Sequence, residues 1–216
     1  MAGLPIDGRD ELPRLLTDAP PATGEFRRPH VSNEWRDLTR AHPPGVALLP
    51  GDRAKEGIIG AMTVGENLTL SALDQFGSAA RLDRRREADV ARSWIGKLSV
   101  RSGGPASPIT TLSGGNQQKV LFGRVLAIGP DVLVMCEPTA GVDIGVRHAI
   151  YDLVAEQVQA GLSVVVASSD VGDLQALCTR VLVLHGGTIT RELTGDAITE
   201  FELLHAMEGL ESESAP

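Results

Sequence analysis

Apolar positions along the chain fall into two rhythms. Short continuous apolar runs, DVLVMC (131–136), LSVVVASS (162–169) and VLVL (181–184), lack polar alternation, as strands buried on both faces do. Between them apolar residues recur every three to four positions. Leu121, Val125 and Ile128 share one face of a helix that begins near Ser113 and is stopped by Gly129-Pro130. Val146, Ile150, Leu153 and Val154 mark a second helix ending at Ala160-Gly161. A short helix (171–178), a Gly-Gly turn, the strand TITREL and a final helix (196–208) follow. Upstream, GVALLP (45–50) predicts a strand, and Thr63 with Glu66 forms a capping box opening the helix TVGENLTLSAL. Ala91, Trp94, Ile95 and Leu98 fall at i, i+3, i+4 and i+7 of an amphipathic helix over 83–98. Residues 17–45, rich in Pro, Arg and His, predict irregular chain with one or two short strands, GEFR (24–27) among them. Strand–helix alternation with continuous apolar strands predicts an α/β fold, a mostly parallel sheet with helices on both faces.

Composition narrows the class. The chain has 216 residues, a formal net charge of −8, and 42% hydrophobic residues. One domain accommodates that length, with a core that needs no covalent staples. The acidic balance argues against a protein held mainly by nucleic acid or anionic lipid. Cys136 and Cys178 cannot build a disulfide framework and have no paired His spacing beside them, so buried, inert thiols are expected rather than a metal or redox site. MAGLPIDGRD has neither the basic nor the apolar stretch of a signal peptide, and no apolar run is long enough to cross a bilayer. The expectation is a soluble cytoplasmic domain, with docking onto something in a membrane left open.

Three segments carry chemistry. Leu112-Ser113-Gly114-Gly115-Asn116-Gln117 places a Ser at an N-cap and two glycines at a helix start, where free N–H groups and the helix dipole favour an anion. On spacing alone an ordinary capped helix explains it better. VLVMCEPT (132–139) delivers Glu137 at the C-terminal end of a buried strand, the edge where ligands bind in parallel sheets. A carboxylate there can orient or deprotonate water, and a solvated strand-end Glu is the plainer alternative. Ala140-Gly141-Val142-Asp143 turns into a helix, with Asp143 as a capping residue.

Together these segments closely resemble the ATP-binding domains of ABC transporters. LSGGNQQKV resembles the family's signature motif in its sugar-importer variant, and CEPTAGVD resembles the Walker B end with the D-loop. GDRAKEGIIGAMTVGENLTL (51–70) is similar to the region after the Q-loop in the second ATP-binding half of those importers, and SSD (168–170) sits where the switch histidine would be. The resemblance covers roughly residues 3–196. It implies a P-loop NTPase-like fold with a small helical signature subdomain at about 63–128, within one domain over 1–210 followed by a frayed tail (211–216).

The departures from the pattern are informative. Gly3 and Gly8 keep the phosphate-loop spacing, but Arg9 and Asp10 replace the required Lys and Ser/Thr. Asp10 would bring negative charge toward phosphate, worth about 4 kcal/mol near 4 Å at an effective dielectric of 20. The strand that should precede the loop is missing, which implies a truncated or fragmentary chain. Cys136 takes the place of the Walker B Asp, a soft ligand where Mg²⁺ wants oxygen. Gly51 stands at the Q-loop position and Ser169 at the switch position, neither with the side chain the chemistry uses. Arg and Ser at the Lys and His positions fit the sugar-importer second halves; Cys136 and Gly51 go further. The implied role is to complete a composite site. Leu112 to Gln117 would meet ATP bound to a second ATPase domain, Mg²⁺ would come mainly with the partner's site, and Glu137 would have little to act on. Further implied partners are transmembrane permease subunits, which would hold the chain on the inner face of the membrane; no nucleic acid is expected. The rival explanations are a non-catalytic remnant or regulatory pseudo-ATPase, and a translation-associated relative, which the −8 charge disfavours.

Overall fold

The computed structural model describes Ala2, Pro13, residues 25–26, 36–37, 45–78 and 81–209. In chain order the strands are β1 (Glu25–Phe26), β2 (Arg36–Asp37), β3 (Val46–Leu49), β4 (Gly77–Ser78), β5 (Arg81–Leu82), β6 (Val132–Cys136), β7 (Ser163–Ala167), β8 (Arg180–His185) and β9 (Thr188–Thr194). The α-helices are α1 (Val64–Thr69), α2 (Arg84–Lys97), α3 (Gly114–Leu126), α4 (Ile144–Gln159), α5 (Val171–Leu177) and α6 (Glu200–Met207). The chain divides into two compact units: Met1–Leu48 with Val132–Pro138 and Ser163–Pro216, and Leu49–Asp131 with Thr139–Leu162.

The first unit is built on a sheet in the order β3-β6-β7. β6 and β7 run parallel, from Val132 opposite Ser163 to Cys136 opposite Ala167. Ala2, fully buried, bridges in parallel to both Ser168 and Val183. Its N–H donates to the Leu182 carbonyl (2.9 Å), and its own carbonyl accepts from the Leu184 amide (2.8 Å). One residue thus ties the end of β7 to β8. β8 and β9 form an antiparallel hairpin across the Gly-Gly turn that the sequence places between these two strands. The two-residue connection Gly186-Gly187 is too short for a crossover, and both glycines take positive φ (58° and 77°), as a tight hairpin turn requires. Leu174, Val181, Val183, Leu193 and Leu203 pack with Ala2 into the core of this unit.

The second unit is mainly helical. α1 opens on the expected capping box: Thr63 Oγ1 accepts from the Glu66 amide (3.2 Å) and Glu66 Oε2 from the Thr63 amide (2.9 Å). The α-helix ends at Thr69, and the chain tightens into a 3₁₀ stretch over Leu70–Phe76, kinked at Ala72. The sequence predicts one continuous helix there. Thr69 accounts for the break, because its hydroxyl bonds back to the Gly65 carbonyl (3.0 Å) and to Glu87 Oε1 (2.9 Å), a pattern that bends helices. The final predicted helix divides likewise into a 3₁₀ turn at Gly195–Ala197 and α6. Val64, Leu68, Ala91, Ile109 and Val120 form the core between α1, α2 and α3. Each fully buried Val, Leu or Ile among them contributes about 1.5–3 kcal/mol. Arg124 of α3 is buried against Asn67, donating through Nε to its backbone carbonyl (2.6 Å) and through Nη2 to its side-chain oxygen, while Nη1 reaches the Gly57 carbonyl. Burial pushes the Arg124 guanidinium below its ordinary pKa. Asn67 in turn donates to the carbonyls of Ile59 (3.1 Å) and Thr63 (3.0 Å).

Candidate functional site

The glycine-rich segment lies in the second unit and starts α3. Ser113 occupies the N-cap position with extended backbone (φ −62°, ψ 156°), yet its side chain makes no capping bond. Its hydroxyl instead accepts from Asn116 Nδ2 (2.9 Å), and Asn116 Oδ1 accepts from the Arg101 amide (2.8 Å). The expected Ser cap is therefore absent. Thr63, Asp83, Asp143, Asp170 and Thr199 all cap their helices through a side-chain oxygen, so α3 stands apart from α1, α2, α4, α5 and α6. Its first-turn amides and the positive end of its dipole meet no capping oxygen. Gln117 is turned back, Nε2 donating to the carbonyls of Ile109 and Leu112 (both 3.3 Å), which fixes the turn before the helix.

The two glycines have steric reasons of their own. A Cβ on Gly115 would fall 2.6 Å from Val146 Cγ2 of α4, so the close approach of α3 and α4 requires its absence. A Cβ on Gly114 would fall 2.9 Å from Arg53 Nη2. Arg53 lies in a π-turn (Arg53–Gly57) two residues beyond Gly51. Its Nη1 donates to Gln118 Oε1 (3.4 Å) and to the Ala140 carbonyl (3.3 Å). Asp52 supports this turn, accepting from the amides of Ala54 (3.1 Å) and Lys55 (3.0 Å). The Lys55 amide and then the Lys55 side chain hold the Asp52 carboxyl below its ordinary pKa. Asp143 caps α4 as expected, accepting from the Val146 amide (3.0 Å), and leaves Ile144 three-quarters exposed.

Glu137, Cys136 and Ser169 lie together in the first unit. Glu137 follows β6 with its backbone in the left-handed region (φ 43°), and its amide donates to the Ala167 carbonyl (2.8 Å). That register sets Ser168 and Ser169 beside its carboxylate. Glu137 Oε1 accepts from both the amide and the hydroxyl of Ser169 (each 2.9 Å), and Oε2 accepts from Ser168 Oγ (3.0 Å). Ser168 Oγ also lies 3.2 Å from Oδ2 of the buried Asp173 and accepts from the Asp170 amide (3.0 Å). At least three donors thus engage the carboxylate read as a base. Cys136 is buried at the end of β6, and its soft thiol does not suit Mg²⁺.

The structure thus gathers Leu112 to Gln117 with Asp143 in one unit, and Cys136, Glu137 and Ser169 in the other. Gly51 begins the bend into the Arg53 turn. Gly3, Gly8, Arg9 and Asp10 lie outside the described residues. Sequence reasoning missed Arg53, Ser168 and Asp173. Nothing in their spacing reveals them, because tertiary register brings each to its partners. Among the described residues no helix is long and apolar enough to cross a membrane.

Comparison with known proteins bears on the same segments. The family profile described as ABC transporter matches residues 17–140. The chain is 38% identical over 211 residues to the xylose import ATP-binding protein XylG of Burkholderia ambifaria, covering 95% of this chain and 40% of that protein. It is 34% identical over 210 residues to the ribose import ATP-binding protein RbsA of Geobacillus kaustophilus, covering 97% and 42%. The chain therefore spans about two-fifths of the length of these relatives. Among solved structures, an ATP-binding cassette captured as a post-hydrolysis dimer with ADP and Pi superposes with a TM-score of 0.70 at 18% identity, covering 89% of this chain and 83% of that one. A second cassette of an ABC transporter superposes at 0.71 with 22% identity, covering 96% and 82%. At those identities the likeness carries the fold, which is that of these α/β cassettes.

Proposed function

Since the chain belongs to the ABC transporter ATP-binding family, we propose that it acts as an ATP-binding half of a sugar importer and lends its signature helix to a nucleotide carried by a second ATPase domain. The uncapped start of α3 is the observation that carries this proposal. Ser113 and the first amides after it present donors and a positive dipole end to a γ-phosphate arriving from outside the chain, as helix N-termini do. Leu112, Gln117 and Asn116 hold that start in place, and Asp143, capping α4, would face the same partner. The sugar-import relatives support a pentose or similar monosaccharide as cargo, with permease subunits as the membrane anchor and the inner face of the membrane as the location.

The chain's own catalytic position is poorly equipped. Glu137 would serve as base only after Ser168 and Ser169 let go of its carboxylate. Cys136 offers sulfur where a hard cation needs oxygen, and Gly51 offers no side chain, so these two positions do not fit Mg²⁺. ATP fits the α3 end in trans, where it would bring the phosphoanhydride bond whose cleavage drives transport. The remainder of the proposal is a single ATP-binding domain with a helical signature subdomain at about 63–128 and a weak phosphate loop at Gly3 to Asp10.

Ser113→Glu tests it. Ser113 is exposed, so the substitution leaves the core alone while placing a carboxylate where the phosphate should sit. In a complex assembled with permease and a partner domain bearing an intact phosphate loop, ATP turnover should fall about 100-fold, the scale of losing a preorganised anion donor. A second proposal, a regulatory half without catalytic part, is favoured by the buried Cys136 and predicts unchanged turnover instead.

A further inference from the structure

We propose that Arg53 is a positioning residue that holds the start of α3 and the 140–143 turn in one arrangement, so that both present themselves together to the partner's nucleotide. The inference rests on the role proposed above for the α3 start. Arg53 touches both segments. Nη1 bridges Gln118 Oε1 (3.4 Å) on α3 and the Ala140 carbonyl (3.3 Å) in the turn. Nη2 lies against Gly114, 2.9 Å from where a Cβ would stand, and 3.7 Å from the corresponding point on Gly141. Gly141 takes positive φ (67°), and the Val142 amide closes the turn on the Thr139 carbonyl (3.3 Å) just before Asp143 caps α4. Arg53 is itself anchored. Its carbonyl accepts from the Ile58 amide (2.8 Å), and Asp52 pins the turn around it.

The chemistry favours Arg at this position. A planar fork can donate to two acceptors from one nitrogen while its other edge lies flat on a glycine; a lysine ammonium has a single point of charge and no flat edge. A cation at the N-terminal end of a helix is set against the dipole, so the Ala140 carbonyl and the Gln118 oxygen are what keep it there. A methyl group at Gly114 would therefore push the end of the guanidinium aside.

The test combines two measurements on Arg53→Met, Arg53→Lys, Gly114→Ala and the double variant Arg53→Met with Gly114→Ala. In the purified full chain, hydrogen exchange of the bonded amides of 117–119 and of Val142 and Val146 should quicken together, about fivefold in Arg53→Met and less in Arg53→Lys. Unchanged exchange in either segment overturns the proposal whatever the turnover shows. In the assembled complex, Arg53→Met should lower kcat about tenfold while KM for ATP stays within about twofold, and Gly114→Ala should do the same by displacing the guanidinium. The double variant should be no worse than either single one; a merely structural Arg53 would give additive losses, which overturns the proposal. Ser113→Glu separates the two ideas. If it abolishes turnover while Arg53→Met does not, the positioning role fails alone; if it has no effect, the α3 role fails first.

Discussion

Glu137 stands just after β6 with its backbone in the left-handed region (φ 43°). A non-glycine residue in the left-handed region costs about 1–2 kcal/mol, and this one bears the carboxylate at the end of β6. What holds it there is a set of bonds from Ser168 and Ser169. Ser168 is fully buried and joins Glu137, the Asp170 amide and Asp173, so Ser168→Ala should destabilise the fold by about 1–3 kcal/mol, seen as a lowered urea midpoint. Ser169→Ala should cost less, because the Ser169 amide still reaches Glu137. An equal loss for both would mean the buried hydroxyl has no special part. The sequence reveals Glu137 and Ser169 as candidate positions through motif resemblance. It hides Ser168, whose place follows from the pairing of Cys136 with Ala167 across β6 and β7.

At the level of helices and strands, local chemistry reads well and tertiary substitution for it does not. The Thr63–Glu66 box was legible because both partners lie within one turn. It also sets a pH dependence. The Thr63 amide, then its hydroxyl, holds the Glu66 carboxyl below its ordinary value of 4.5, so the charged form is favoured in the folded state. That contribution is present above the ordinary value and is lost as pH falls through the lower, folded one. Glu66→Gln, which removes only the charge, should therefore cost about 0.3 kcal/mol at neutral pH, screened because the carboxylate is exposed, and nothing well below pH 4, as thermal melts across that range would show; a constant difference would discount the box. The helix start at Ser113 looked capped for the same local reason, yet its hydroxyl is taken by Asn116, and Gly115 is small because Val146 presses on it. The direction of β8 is not readable from its apolar run, which fits either direction, but the Gly-Gly turn after it decides for the hairpin. Arg124, buried with carbonyl partners drawn from Gly57 and Asn67, carries no sequence mark at all.

Taken whole, the proposed function has the chain complete a partner's site rather than run its own. That asymmetry gives a prediction independent of the α3 start. If turnover in the assembled transporter belongs to the partner's site, Glu137→Gln should leave it within about twofold, since the substituted side chain removes only a base that Ser168 and Ser169 already occupy. Restoring one missing ligand should not help either. Cys136→Asp supplies oxygen for a cation, but it buries a carboxylate at a position only 9% exposed, and it neither gives Gly51 a side chain nor frees Glu137. Initial rates of ATP hydrolysis for the two variants against the parent complex settle the matter. A tenfold loss in Glu137→Gln, or a gain in Cys136→Asp, would place working chemistry on this chain, and the serines around Glu137 would then have to be a resting arrangement that opens once the nucleotide arrives.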